Sequence, residues 1–233
     1  MRKHLFCSLL LTLCVLFSCA ACQSLTNTKE TEPTTRVDLE IVYKRNQLCY
    51  SVMENGDDTT LYVFNAAAQP IFDLEGKSAT AMDLLPGMTV SLEYDGFVLE
   101  TYPAQFSGVS EIQVTGQKAN SVEFLGSLIS GMFPSATPDE LERWEITFDG
   151  DEFLNAKEKK ALEYKMQEEW KGANVVVEPS EQYLSKTGHI LITTEKAGES
   201  SVQLTIHMDS GYSDATQRRM TISLKDGQWS VGE

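Results

Sequence analysis

The chain is short of the residues on which most metal and thiol chemistry depends. Of its 233 residues, three are His and five are Cys. Cys7, Cys14, Cys19 and Cys22 crowd near the start, and only Cys49 follows them. A disulfide framework needs several paired cysteines in the folded part, and none can form there. Cys49 lies in an apolar run and reads as a small buried hydrophobe, not a nucleophile. His4 belongs to the basic start, which leaves His189 and His207, and neither stands in a zinc spacing. Apolar residues alternate from Val202 to Met208, which turns His207 outward with Gln203 and Thr205. Both histidines are expected at the surface. No Gly-x-Ser-x-Gly elbow and no Gly-rich phosphate cradle is present. A Ser-His-Asp arrangement stays open, because triads are set by geometry and not by order. No metal and no cofactor is expected.

Basic charge is scarce as well. Nineteen Lys and Arg face 34 Asp and Glu, for a net charge of −15. Arg2 and Lys3 lie in the first few residues, so the remainder carries −17. Nucleic-acid binding needs clustered Lys and Arg and is excluded as a function. Anionic lipid surfaces are disfavoured for the same reason, except where an anchor enforces proximity. The charge suits a domain kept soluble outside the cytoplasm.

Long apolar runs are missing too. Leu5 to Phe17 holds only apolar and small residues, about 13 of them, whereas a spanning helix needs roughly 20. Met1-Arg2-Lys3-His4 before it is basic, and no acid occurs before Glu30. Basic start, apolar middle and small-residue exit form a secretory signal. The exit, Val15-Leu16-Phe17-Ser18-Cys19, resembles the lipobox of bacterial lipoproteins. The resemblance implies a signal peptide over 1–18, with Cys19 becoming the first mature residue and carrying the lipid. Leu16 and Ser18 match the pattern, and Phe17 is bulkier than usual. Cys22 is the alternative site, since Ala20 and Ala21 before it are small, although Cys19 then occupies the place of leucine. The implied location is the outer face of the cell membrane.

Residues 19–36 are polar, with Pro33 and almost no apolar side chain from Gln23 on, and read as a flexible tether. From Val37 the period is two: Val37, Leu39, Ile41 and Tyr43 mark a half-buried strand. Leu48 to Met53 and Leu61 to Phe64 follow as strands. Met88 to Tyr94, Asp95-Gly96 and Phe97 to Thr101 predict a tight hairpin, because Asp-Gly accepts positive φ. Val109 to Thr115 alternates again. Several short strands with little helix predict a small antiparallel β-barrel over 37–118. The stretch Asp83-Leu84-Leu85-Pro86-Gly87-Met88, with Asp95-Gly96 and Glu100-Thr101-Tyr102-Pro103-Ala104-Gln105-Phe106, resembles an uncharacterised OB-like barrel domain of small Gram-positive lipoproteins. That family brings no catalytic residues.

Residues 119–233 predict an α+β domain with a helix packed on an antiparallel sheet, making the whole chain α+β. Asn120 to Met132 has helical spacing, stopped by Pro134. Thr137-Pro138-Asp139-Glu140 predicts a second, short helix start, and Ile146 to Phe148 a brief strand. Asn155 with Glu158 predicts a capped helix from about Ala156 to Lys171. Strands are expected at Val175 to Glu178, Ile190 to Thr194, Val202 to Met208, Met220 to Leu224 and Trp229 to Val231. The ending around Lys225-Asp226-Gly227-Gln228-Trp229 resembles the last hairpin of NTF2-like and cystatin-like domains.

Acidic clusters invite chemistry and are weighed first. A calcium loop from Asp149 would need Gly and Glu where Leu154 and Lys160 stand, so Asp149, Asp151 and Glu152 read as a solvated turn. Glu54, Asp57 and Asp58 meet no ligand spacing either. Glu100, Tyr102 and Gln105 close a barrel hairpin, where OB-type barrels bind, and are the candidate ligand residues. Tyr43, Tyr50, Tyr62 and Phe64 read as core. The expected function is a membrane-tethered binding or interaction module for an envelope protein, peptide or glycan. Two alternatives stand beside it: an envelope hydrolase using Asp149, Asp151 or Glu152 in a cleft, and an inhibitory or structural partner of another envelope protein. Convergence of those acids in a deep pocket would favour the hydrolase.

Overall fold

Alternating apolar and polar residues lay down two sheets. The computed structural model describes residues 34–132, 141–171, 173–179, 186–198, 200–211 and 215–232. Cys19, Cys22, the expected signal segment, most of the expected tether and the helix start expected at Thr137-Pro138-Asp139-Glu140 lie outside them. Of the described residues, 49% are in strands and 14% in helices, so the described part is mostly β.

The first sheet contains β1 (Thr35–Arg45), β2 (Leu48–Met53), β3 (Tyr62–Asn65), β4 (Ile71–Phe72), β5 (Ser78–Ala79), β6 (Met88–Tyr94), β7 (Val98–Leu99), β8 (Ala104–Phe106) and β9 (Glu111–Gln117), in the order β5-β4-β9-β6-β1-β2-β3-β8-β7. It curls into a half-barrel. The ends of that order, β5 and β7, do not pair with each other, so the expected barrel is open. Most pairings are antiparallel, but β3–β8 and β4–β9 are parallel. The strand begins at Thr35, two residues before the expected start, and Arg36 pairs with Glu93 at 2.7 Å.

The predicted Asp95-Gly96 hairpin is overturned. The turn forms, with Gly96 at φ +88° and Phe97 N–H donating to Asp95 Oδ1 at 2.9 Å. Yet β6 and β7 do not pair. Both edges of β6 are already taken by β1 and β9, so β7 crosses to the far edge and pairs with β8.

A bulge in β1 decides what each face covers. Ile41 faces Ser51 but Tyr43 faces Tyr50, so Val42 is an extra residue. Strict alternation would send Tyr43 to the same side as Ile41. Instead Leu39 and Ile41 join one apolar cluster with Phe64, Leu92 and Ile112, while Val42 and Tyr43 join another. The second cluster also takes Val122, Leu125 and Ile129 of α1 (Ser121–Met132), Ala161, Leu162 and Met166 of α2 (Ala156–Glu169), and residues of the second sheet. The described residues accordingly form one compact unit.

The second sheet holds β10 (Arg143–Gly150), β11 (Val175–Val177), β12 (Thr187–Lys196), β13 (Ser201–Asp209), β14 (Thr216–Lys225) and β15 (Gln228–Val231), ordered β11-β10-β12-β13-β14-β15. It is mixed, not purely antiparallel: β10 runs parallel to both β11 and β12. The helix between β10 and β11 supplies the long connection that a parallel pair requires. The last hairpin is as read, with Asp226 and Gly227 at positive φ between Lys225 and Gln228. The free edge of β11 is covered: Val177 N–H donates to Glu163 at 3.0 Å and Val175 C=O accepts from Gln167 at 2.7 Å. Such cover blocks edge-to-edge pairing.

Candidate functional site

An opening with an apolar floor lies at the β5 end of the half-barrel. Its walls come from two turns. In the first, Asp73 Oδ1 accepts from the N–H groups of Glu75 and Lys77 at 2.9 and 2.8 Å, and Gly76 takes φ +77°. This tight turn pushes Leu74 outward, where it is 62% exposed. In the second, Asp83 Oδ2 accepts from Thr80 N–H and Oγ1–H at 2.8 and 2.7 Å. Those bonds hold the Asp83 carboxyl below its usual range, the Thr80 hydroxyl contributing most. Lys44 reaches beneath this loop and donates to the carbonyls of Ala81 and Leu84.

Between the turns is a cleft of about 420 Å³, within the roughly 300–1,000 Å³ usual for ligand pockets. Its floor is Leu84, Val114, Met88 and Ala79, and its rim carries Asp73, Glu75, Lys77 and Asp83. Leu84 and Val114 belong to the half-barrel core. The cleft is thus where the core of an unclosed sheet reaches the surface. Met82 and Leu85, beside the lining in sequence, are 76% and 45% exposed. The motif Asp83-Leu84-Leu85-Pro86-Gly87-Met88 was visible in the sequence as a family-like segment. Nothing in it showed that the turn after β4 would face it across a cleft.

Other candidates are placed less productively. Glu100, Tyr102 and Gln105 are all exposed, and no hydrogen bond joins them. Tyr102 packs edge-on against Tyr164 of α2 at 5.4 Å. Tyr164 continues to Tyr50 at 6.0 Å, and Tyr50 stacks on Tyr43 at 4.2 Å. Tyr43, Tyr50, Tyr62 and Phe64 are buried, as their apolar settings suggested.

Asp149, Asp151 and Glu152 line a small cavity of about 210 Å³ with Phe148 and Lys159, but each is exposed. Asp149 Oδ1 accepts from Gly150 N–H at 2.9 Å and Asp151 Oδ2 from Lys196 N–H at 2.7 Å. Leu154, at the place a calcium loop keeps for Gly, is fully buried. Asp58 bonds Thr60 and Tyr62 within its own loop. Cys49 is fully buried, and burial pushes its thiol up to about 12, which removes it as a nucleophile.

Comparison of the chain with protein-family models, curated proteins and solved structures finds no match. The site stands on its own geometry.

Sequence reasoning missed the buried charges Glu40, Glu145, Glu163 and Lys165. Glu145 of β10 is buried, with Arg143 Nε at 3.0 Å and His189 Nδ1 at 3.5 Å. The Arg143 contact is an ion pair without hydrogen-bond alignment. Parallel register places Glu145 beside His189, a pairing that no local pattern encodes. His207 sits between buried Ile206 and Met208, with its side chain on the outer face. Among the described residues, no group of three or more His, Cys, Asp or Glu is placed to hold a metal ion. No helix among them is long and apolar enough to cross a membrane.

Proposed function

We propose that this protein is a lipid-anchored binding module on the extracytoplasmic face of a bacterial cell membrane. Its anchor is Cys19, with Cys22 as the alternative. The tether holds the folded part off the bilayer, and the partner is an envelope protein, peptide or glycan. The folded part reads as a small β-barrel-like half followed by an α+β half whose long helix packs on the second sheet. The observation that carries the binding reading is the cleft beside β5: apolar floor, charged rim, and exposed Leu74 at its mouth. A soluble protein leaves such a floor open at a cost unless something covers it. The hydrolase reading is weaker, because Asp149 and Asp151 are exposed, each accepts from a backbone amide, and the cavity they line is small.

Two measurements test the proposal. Metabolic labelling with a fatty-acid analogue should mark the wild-type chain and fail on the Cys19→Ala, Cys22→Ala double variant. Label that persists in the double variant sinks the anchor. A photocrosslinking residue at position 74 should capture a partner in the native envelope, and the same residue at exposed Lys196 should not. Equal capture at both positions removes the cleft from the reading.

A further inference from the structure

The geometry points to the occupant of this cleft: an extended peptide segment of a partner protein that places an apolar side chain beside a Lys or Arg. This rests on the reading of the cleft as the binding site. Three observations carry it. The first is the free strand edge. β5 ends the strand order of the first sheet, paired only with β4, and its Ala79 lines the cleft. Beyond it the Thr80 N–H and C=O are bonded to Asp83, so the edge open to a partner is confined to the two residues of β5. An extended peptide can add to such an edge through main-chain hydrogen bonds, setting alternate side chains into a neighbouring pocket. The unclosed half-barrel offers that position at the point where its core surfaces.

The second observation is the floor. Leu84 and Val114 are core residues, and Ala79 is the smallest side chain lining the opening. The space beside Ala79 suits one branched or aromatic side chain. The third is the rim. Asp73, Glu75 and Asp83 outnumber Lys77, which is paired with Glu75. Lys44 lies below the loop, and its ammonium is held by two carbonyls. The chain as a whole carries −15. A basic residue next to the apolar anchor meets carboxylates at the rim, and an acidic one meets repulsion.

The test is isothermal titration of the full chain with three blocked peptides. The probe is Thr-Lys-Leu-Lys-Thr; one control replaces both Lys by Glu, and the other replaces Leu by Ser. The probe should bind at least about tenfold more tightly than either control. Ala79→Trp, which fills the cleft, should weaken the probe by at least about tenfold. Glu75→Lys, on an exposed turn, should weaken it about threefold, with the loss shrinking in salt. Glu75→Lys keeps the test valid if the Trp variant loses its circular dichroism.

Equal binding of the Lys and Glu peptides overturns the inference, and so does equal binding of the Leu and Ser peptides. Nile red separates this inference from the reading beneath it. Dye that lights up on wild type but not on Ala79→Trp, with no peptide bound, overturns the peptide and leaves the cleft standing. Neither dye nor peptide at the cleft overturns both.

Discussion

Tyr43 shows how a residue can be read correctly in kind and missed in consequence. Its ring is buried and stacked on Tyr50, but its hydroxyl has no hydrogen-bond partner. Apolar surroundings predicted the burial. The stranded hydroxyl follows from the bulge at Val42, which turns the ring toward the helices. A buried hydroxyl without a partner costs about 1–3 kcal/mol. Tyr43→Phe keeps the ring and removes the cost, so urea midpoints should show a gain of roughly 1 kcal/mol. A loss instead would mean that the hydroxyl is bonded. Glu158 gives a second residue-scale prediction. Burial pushes its carboxyl up to about 7, helped by the nearby Glu40 and Glu152 charges and opposed by the Asn155 N–H and by Lys118. The folded chain therefore holds this proton up to about 7, whereas the unfolded chain releases it near 4.5. The stability that the neutral form contributes is complete below about 4.5 and lost as pH rises through about 7. Glu158→Gln lacks that loss. Measured against it, wild-type stability should fall by on the order of a few kcal/mol across this window and level off above it. Parallel stability–pH curves would show that Glu158 titrates normally.

At the scale of elements, what was legible was local. The start of α2 is encoded within four residues: Asn155 Oδ1 accepts from Lys157 and Glu158 N–H at 3.0 and 3.1 Å, and Asn155 N–H donates to Glu158 Oε2 at 2.8 Å. Asn155→Ala removes one side of this box and should cost about 1 kcal/mol, with Asn155→Ser restoring most of it. Denaturation midpoints of the three chains would check this, and an Ala variant as stable as wild type would show that tertiary packing alone sets the helix start. The Asp226-Gly227 hairpin was legible for the same reason. The Asp95-Gly96 turn formed equally well, yet its strands part. Turn chemistry fixes a reversal of direction; it does not fix which edge is vacant when the strand arrives. The parallel neighbours of β10 and the cleft beside β5 share this character. Each depends on segments far apart in sequence, and no single-chain pattern records them.

At the scale of the whole molecule, the two sequence regions meet in one core. Val42, Tyr43, Tyr50, Val52 and Leu61 of the first sheet lie in the same apolar cluster as Trp144, Ile146, Ile190 and Leu204 of the second. Lys157 of α2 donates to Met53 C=O at 2.7 Å, and Gln228 Nε2–H to Pro86 C=O at 3.4 Å. Sequence reading drew a boundary near residue 118, because the apolar period changes there. Periodicity reports the face each element buries, not the element that covers it. A shared core makes separate unfolding unfavourable: releasing either region strips apolar cover from the other, at roughly 25 cal/mol per Å² exposed. The chain supplies its own reporters. Trp144, Trp170 and Trp229 all lie in the second region, while Cys49 is fully buried in the half-barrel core of the first and is the only cysteine after Cys22. In a chain beginning at Pro33, where the compact unit starts, urea unfolding followed by Trp fluorescence and by Cys49 labelling should give one midpoint. Cys49 reacting at clearly lower urea would separate the half-barrel from the rest. The common cluster would then be a contact between two folding units, not a core that binds them into one.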